Sequence, residues 1–164
     1  MKKIILTVLA LLIAGAAAFW LLRGEKHIIK KQFKGIAECV SKESGEGNIA
    51  MAAKMLSLGN YLTENVTLGI RDLPMFQEMT SEDIVSLATR GRGFIDELHI
   101  TIVDVETDIL SKEKAQSRCS AKVRLRSKSR EYDYDELRTF SSDLVKIDGK
   151  WRFASFKEDE LIKR

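Results

Sequence analysis

Strict alternation between small or apolar residues and polar residues runs from Ala115 to Lys128, and it constrains the fold more than any other feature. A period of two residues is that of a β-strand, so the run predicts a strand with two unlike faces. One face is mostly basic. The other must turn inward, and it carries Ala115, Ser117, Cys119, Ala121, Val123 and Leu125.

Further strands are predicted around this run. β-Branched residues dominate from Leu98 to Ile109, which indicates a long strand. The segments 137–147 and 151–156 flank Asp148-Gly149, a pair typical of a two-residue type I′ hairpin. Apolar residues alternate with Thr67 and Gly69 over 66–70, which predicts a short strand earlier in the chain.

Apolar residues at helical spacing predict three helices ahead of the long strands. The order is α, α, β, α, β, β, β, β, which favours an α+β fold with three N-terminal helices packed on a strongly curved, mainly antiparallel sheet. The capping sequence Thr80-Ser81-Glu82-Asp83 marks the start of the third helix. The three predicted stripes are Ile29, Phe33, Ile36 and Val40, then Ile49, Ala52, Ala53 and Leu56, then Ile84, Leu87 and Ala88.

An uncharged run from Ile4 to Leu22 precedes this domain. A helix of that length reaches about 28 Å, close to the hydrocarbon thickness of a bilayer. The run predicts a transmembrane signal anchor in residues 1–26 and one domain in 27–164. A cleaved signal peptide is the alternative, because small residues fill 14–18, but cleavage after Ala18 would leave an apolar mature terminus.

The sequence does not decide on which side of the membrane the domain lies. A short basic segment before an apolar run is typical of bacterial export, which favours a periplasmic domain on a single-pass membrane protein. The positive-inside rule points to the cytoplasm instead, because basic residues after the run outnumber Lys2 and Lys3. Those residues are Arg23, Lys26, Lys30, Lys31 and Lys34.

The closing segment 144–153, LVKIDGKWRF, and the order of elements resemble the nuclear transport factor 2 superfamily, whose cone-shaped α+β domain often ends in an xDGKWxI hairpin. The resemblance covers residues 27–160. The segments 40–43 and 62–66 look like uncharacterised bacterial members that carry an N-terminal anchor. The resemblance implies a cone that different members use as isomerases, dehydratases, small-ligand binders or protein-interaction modules, so the fold does not choose the function.

Catalytic residues of that superfamily cannot be matched residue by residue in this sequence. His99 is the one candidate general base, since imidazole titrates near neutrality, and Tyr61 is a second polar candidate for the cone. His99 shares a strand face with Thr101 and Val103, while Leu98 and Ile100 form an equally apolar rival face. Other aromatic residues, Tyr132, Tyr134, Trp151 and Phe153, fit packing better than a pocket.

Three carboxylates, Asp104, Glu106 and Asp108, alternate on the predicted long strand. They could serve acid–base chemistry or hold a metal, but a solvated strand face explains them better because no second cluster supplies further ligands. No metal and no cofactor is expected.

The basic face of the alternating run could meet an anionic partner such as lipid phosphates or an acidic protein. Its candidate residues are Arg118, Lys122, Arg124 and Arg126. Acidic residues of the next segment, including Asp135 and Glu136, could instead neutralise this ridge across the hairpin. The net charge of +3 and the lack of interleaved aromatic residues exclude nucleic acid as the expected partner.

Cys39 and Cys119 are the two cysteines, and in an oxidising compartment they could form a disulfide between the first helix and the sheet. Two separate buried thiols are the alternative.

These patterns favour a membrane-anchored, non-enzymatic interaction or accessory module, with the membrane bound through the N-terminal helix. A protein partner or a second copy of the chain would pair through the sheet. The alternative is a small-molecule binder, or an isomerase-like or dehydratase-like enzyme, that uses the cone. A cone with a desolvated carboxylate or histidine favours the second hypothesis.

Overall fold

The computed structural model describes residues 24–69, 77–127 and 133–159. Three helices and six strands occur in these residues. The helices are α1, helical throughout residues 24–40, α2 at Asn48–Asn60 and α3 at Ser81–Arg92. The strands are β1 at Leu62–Gly69, β2 at Gln77–Thr80, β3 at Ile95–Ile109, β4 at Lys114–Ser127, β5 at Tyr134–Ile147 and β6 at Lys150–Glu158.

The six strands form one sheet in the order β2-β1-β6-β5-β4-β3. All neighbouring pairs are antiparallel except β1 and β6, which are parallel. Register shifts interrupt the pairing between Ile102 and Asp104 and between Ser141 and Leu144. Such bulges bend and twist a sheet, so they allow it to wrap around the helices. The predicted α+β class and mainly antiparallel sheet are confirmed.

The β5–β6 hairpin has the predicted turn. Asp148 and Gly149 both have positive φ, 50° and 76°, which is the backbone that a type I′ turn needs at its two central residues.

The core lies between α1 and one face of the sheet, which we call the inner face. Ile29 and Phe33 of α1 are buried in one cluster with residues of four strands, and the Phe33 and Phe153 rings meet edge to face at 4.8 Å. The strands contribute Leu62, Val66, Ala115, Cys119, Leu144, Trp151 and Phe153. The predicted inward face of 115–125 therefore is the inner face.

The apolar stripe predicted for α2 was wrong. Ile49 is 89% exposed and Leu56 is 76% exposed, whereas Met55 and Leu58 are the buried residues of the helix. Both faces of α2 are apolar, so periodicity could not choose between them. Met55 and Leu58 are buried because they pack with Cys39 of α1 in a second core cluster.

Strand β2 was not predicted. Its four residues have a mostly exposed burial pattern and pair with β1 at the sheet edge, so they show no alternation. Thr80 ends this strand and caps α3 as predicted, since its hydroxyl oxygen accepts a hydrogen bond from Asp83 N at 3.1 Å.

The predicted signal anchor lies almost entirely in residues 1–23, outside the described residues. Within 24–69, 77–127 and 133–159, no helix has the length and apolar character needed to cross a bilayer.

Candidate functional site

The inner face changes character along the strands. Cys119 of β4 lies beneath α1 and pairs with Phe140 of β5, which pairs with Glu158 of β6. Arg138 lies two residues before Phe140 on β5, so both side chains are on the same face of the sheet, and Arg138 pairs with Ala121 of β4. The sheet therefore presents an apolar half to α1 and ionisable side chains towards the β4–β5 connection.

Four residues form the ionisable group, which we call the inner-face cluster: Tyr134, Glu136, Arg138 and Glu158. Arg138 donates from Nη2 to Glu136 Oε2 at 2.8 Å, and its Nη1 donates to Glu158 Oε1. Its guanidinium carbon also lies 5.7 Å from the centre of the Tyr134 ring. Exposure falls from 46% for the Glu136 side chain to 24% for Arg138 and 6% for Glu158.

Burial and charge act in opposite directions on Arg138. Burial by itself lowers the pKa of the guanidinium, but hydrogen bonds to Glu158 and Glu136 outweigh it, and the pKa is raised. Burial also raises the pKa of Tyr134, although the charge of Arg138 opposes that change. At neutral pH the cluster therefore presents a fixed cation, a protonated phenol and carboxylate oxygens.

Half-buried apolar side chains lie on the same face of the sheet as these polar groups. They come from β1, β3, β5 and β6, and they include Leu68, Ile102, Val105, Phe140 and Phe156. Apolar walls with a few convergent polar groups are typical of small-molecule sites. The arrangement can accept hydrogen bonds or a proton at the carboxylates and can donate one from the Tyr134 hydroxyl.

Among the described residues, Arg138 hydrogen-bonds to side chains alone, and both of its partners are glutamates. Within the described part of the chain, Arg138 therefore fixes no helix end and no loop. A largely buried ion pair is weak evidence for stability, and an arginine with glutamate partners only makes the cluster a candidate for function.

Neither Arg138 nor Glu158 was predicted to be a site residue from the sequence. Tyr134 was interpreted as a packing residue and Glu136 as a partner of the basic ridge. One signal was present, because Arg138 has the same strand parity as Phe140 and Leu144 in a segment predicted to be a strand.

Arg92 at the end of α3 was also missed. It is 4% exposed, and its Nη1 donates to the backbone carbonyl oxygens of Cys39, Val40 and Ser41 at 3.1, 2.8 and 3.2 Å. Its Nη2 reaches Glu46 Oε1 at 2.5 Å. Arg92 thus caps the carboxyl end of α1. This role was not predicted, because a basic residue in the last turn of a helix is usually solvated.

His99 lies exposed on the outer face of the sheet, opposite Arg124. Leu98, Ile100 and Ile102 occupy the inner face instead, so the rival face of β3 turns inward. His99 therefore lies on the face opposite Arg138 and its glutamates, and it lines a shallow depression of about 300 Å³ with Arg124, Asp135 and also Tyr134 of the inner-face cluster.

Tyr61 follows α2 and packs against both core clusters. Its hydroxyl lies over Gly35 of α1, where a Cβ atom would approach the phenolic oxygen to 2.2 Å, so only glycine fits. Burial raises the pKa of Tyr61, with Cys39 and Glu38 adding to the effect. These contacts join α1 to α2.

The three predicted carboxylates of β3 are exposed. Glu106 and Asp108 line an open groove of about 590 Å³ on the outer face, beside Gln116, Arg118 and Asp143. Within the described part of the chain, no group of three or more His, Cys, Asp or Glu residues could hold a metal ion.

The predicted basic ridge is exposed on the outer face, and each member has an acidic neighbour. Lys122 and Arg124 both contact Asp135, at 3.3 and 3.1 Å, across the β4–β5 pair. Arg118 contacts Asp159 at 3.0 Å and Arg126 contacts Glu97 at 3.3 Å. An anionic partner for this ridge stays a prediction.

The two cysteines are free, buried thiols rather than the possible disulfide. Cys39 lies with Met55 and Leu58 near the carboxyl end of α1, whereas Cys119 lies under Phe33, so they belong to separate core clusters. Burial raises the pKa of both thiols, that of Cys119 to about 12, with Asp104 adding to the shift at Cys119. Neither thiol is poised as a nucleophile.

Comparisons with known proteins identify the fold. No protein-family model and no curated protein sequence matches the chain. Among solved structures it resembles a "Putative Scytalone Dehydratase" from Novosphingobium aromaticivorans, with 15% identity, a TM-score of 0.65 and 82% of each chain covered. It also resembles a type 2 hexachlorocyclohexane dehydrochlorinase, LinA, with 10% identity, a TM-score of 0.67, and 83% of this chain and 84% of that one covered.

A third similar structure bears the name "putative dehydratase from the NTF2-like family" from Streptomyces avermitilis, with 7% identity, a TM-score of 0.64, and 85% of this chain and 98% of that chain covered. At these identities the likeness shows the fold alone. The chain therefore has the NTF2-like fold that its closing hairpin predicted.

Proposed function

We propose that this protein binds a small organic molecule on the inner face of its sheet, against the inner-face cluster. The observation that carries the proposal is Arg138, which is held between two glutamates and over a tyrosine ring without supporting any described backbone. Polar groups that converge among apolar walls are those expected of a ligand site.

The fold comparisons support this proposal over the non-enzymatic membrane module. Two of the similar structures are named as dehydratases and one as a dehydrochlorinase, and each name denotes an elimination from a small molecule. A reaction of that kind needs a base. In this chain the inner-face carboxylates are the groups able to take a proton, and the Tyr134 hydroxyl is the group able to donate one.

The charge of the inner-face cluster limits which chemical class of ligand can bind. One guanidinium faces two carboxylates, so the cluster has an excess negative charge and disfavours an anionic molecule. The ligand we expect has an apolar ring and a hydroxyl or amine that donates to Glu136, the more exposed of the two carboxylates. Arg138 acts as a positioning residue that orients this carboxylate.

The test compares two glutamate variants of the full chain in detergent. Phenol, catechol and cyclohexanol are offered at millimolar concentration, and binding is detected by saturation-transfer NMR of the ligand. We expect at least one of them to bind and Glu136→Gln to weaken its binding about tenfold, as for loss of a hydrogen bond to a charged group.

Glu97→Gln is the matched control, because Glu97 also pairs with an arginine but on the outer side of the sheet. It should bind like the parent. If none of the three compounds bound, or if both variants weakened binding equally, the inner-face site would have to be abandoned.

A protein-interaction role is a second candidate, and the open groove of about 590 Å³ on the outer face favours it. Its polar lining would suit a hydrophilic partner surface, including a second copy of the chain. Crosslinking in native membranes through cysteine placed at Gln116 tests it, and recovery of the uncrosslinked chain alone would exclude a partner on this groove.

A further inference from the structure

Three separate parts of the chain meet at one end of the sheet. The β3–β4 turn and the β5–β6 hairpin are joined there, since Lys146 N donates to the carbonyl oxygen of Glu113 at 2.9 Å. Helix α1 is attached to the same hairpin near residue 24, because the Glu25 carboxylate accepts from Lys146 Nζ at 2.6 Å and from the Trp151 indole N–H. We call this surface the lysine end, formed by residues 24–28, 110–114 and 146–150.

The lysine end combines positive charge with exposed apolar side chains. It contains five lysines against three carboxylates, and one of those carboxylates, Glu25, is already paired with Lys146. The other four lysines, Lys26, Lys112, Lys114 and Lys150, are exposed. Ile28, Leu110 and Ile147 are large apolar side chains that are also exposed. This composition is typical of a surface that lies at a membrane interface.

The chain also enters the domain at this end. Residue 24 directly follows the segment that contains the uncharged run 4–22, which is long enough to span a bilayer. Glu25 follows this run closely and pairs with Lys146 of the β5–β6 hairpin, so insertion of the run in lipid would bring the β3–β4 turn and the hairpin close to the headgroups. Charge complementarity then favours lipids with negative headgroups.

We propose that the lysine end docks on an anionic lipid surface, with Leu110 and Ile147 at the interface and the four exposed lysines against lipid phosphates. The docking fixes the orientation of the domain, so that the inner-face cluster lies at the opposite end of the strands, away from the bilayer. The proposal depends on the predicted N-terminal anchor and is independent of the proposed ligand.

The test places a fluorescent probe on the full-length chain reconstituted in vesicles. A Leu110→Cys variant is labelled with an environment-sensitive dye, and both native cysteines are buried, which makes the labelling selective. Quenching by brominated lipid is then measured in phosphatidylcholine vesicles with and without 30% phosphatidylglycerol. A Val103→Cys label, at an exposed position midway along β3, is the positional control.

We expect strong quenching at position 110 in the anionic vesicles, weak quenching in the neutral ones and none at position 103. Replacing Lys112, Lys114 and Lys150 with glutamine should lower the quenching at position 110 at least threefold, and 0.5 M salt should do the same because it screens exposed charges. The charge-matched control replaces Lys122, Arg124 and Arg126 on the outer-face ridge and should leave the quenching unchanged.

Three results would overturn the proposal. The first is an unquenched probe at position 110, or a chain that fails to enter vesicles. The second is equal quenching in both kinds of vesicle that does not change when the lysines are replaced. That result would mean that the N-terminal anchor alone holds this end near the lipid. The third is loss of quenching in the ridge variant rather than in the lysine-end variant, which would move the lipid contact to the outer face.

Discussion

Arg92 and Arg138 are both largely removed from solvent, and both pair with a glutamate that is 6% exposed. Their other contacts differ. Arg92 donates to three carbonyl oxygens at the end of α1, whereas Arg138 has a second glutamate and a tyrosine ring. The first arginine satisfies backbone that the fold would otherwise leave unpaired. The second satisfies only side chains that the fold could have replaced with apolar residues.

This difference separates a structural role from a functional one. Helix ends leave carbonyl groups without partners, and leaving them buried is costly, so a buried arginine at such an end stabilises the fold. A buried ion pair among side chains gains little over apolar packing. The inner-face cluster is therefore more informative about function than the better-connected Arg92.

The largest expected effect is that of Arg92→Met. The substitution removes a partner of Glu46 and leaves the carbonyl oxygens of Cys39 and Val40 without their side-chain donor, so we expect the free energy of unfolding to fall by about 3–5 kcal/mol. Urea denaturation of the full chain in detergent, followed by tryptophan fluorescence, measures it. A loss below about 1 kcal/mol, the range of exposed ion pairs, would remove the structural role assigned to Arg92.

Double variants sharpen the comparison. Arg138→Met should cost about 1–3 kcal/mol because it leaves Glu158 buried beside one fewer partner. Adding Glu158→Gln should recover most of that loss, whereas adding Glu46→Gln to Arg92→Met should recover little, because the carbonyl groups of α1 stay unpaired. Equal recovery in the two pairs, measured by the same urea titration, would contradict the distinction.

The opposite end of α1 offers a pH-dependent case. The hydrogen bond from Lys146 lowers the pKa of Glu25 below the ordinary value of a glutamate, although burial opposes the shift. A lowered folded-state pKa gives stability that is present above the unfolded value and is lost as the pH falls through the folded value. We expect Glu25→Gln to cost about 1–2 kcal/mol at pH 7.

That cost should shrink as the pH falls below about 4.5, because the parent carboxyl then becomes protonated as well. Thermal unfolding of the parent and the variant at pH 7, 5 and 3.5 measures the difference. A constant difference over this range would mean that the ionised form of Glu25 is not what holds α1 to the hairpin.

The smallest effect is expected on the outer face. Arg126→Met removes an exposed contact with Glu97, and such pairs contribute about 0–1 kcal/mol. The urea midpoint should move little and should move less still in 0.5 M salt. A loss of unfolding free energy as large as that of Arg92→Met would show that burial and backbone contacts do not determine how much each arginine contributes to stability.

The patterned parts of the chain were predicted well. The alternation from Ala115 to Leu125 predicted the inner face of β4. Asp148-Gly149 predicted the hairpin between β5 and β6, in which both turn residues have positive φ. Thr80 gave the start of α3. In each case the information is local, because side-chain period, turn geometry and capping depend on neighbours along the chain.

The candidate site could not be predicted in the same way. Arg138 and Glu158 lie on different strands, and only the pairing of β5 with β6 brings them together. The choice between two apolar faces of α2, and between the two faces of β3 that left His99 outside, was likewise made by packing. Sequence by itself determined where the helices and most of the strands lie and that they build an α+β domain. Tertiary structure decided which charges are buried, because burial depends on contacts between residues far apart in the chain.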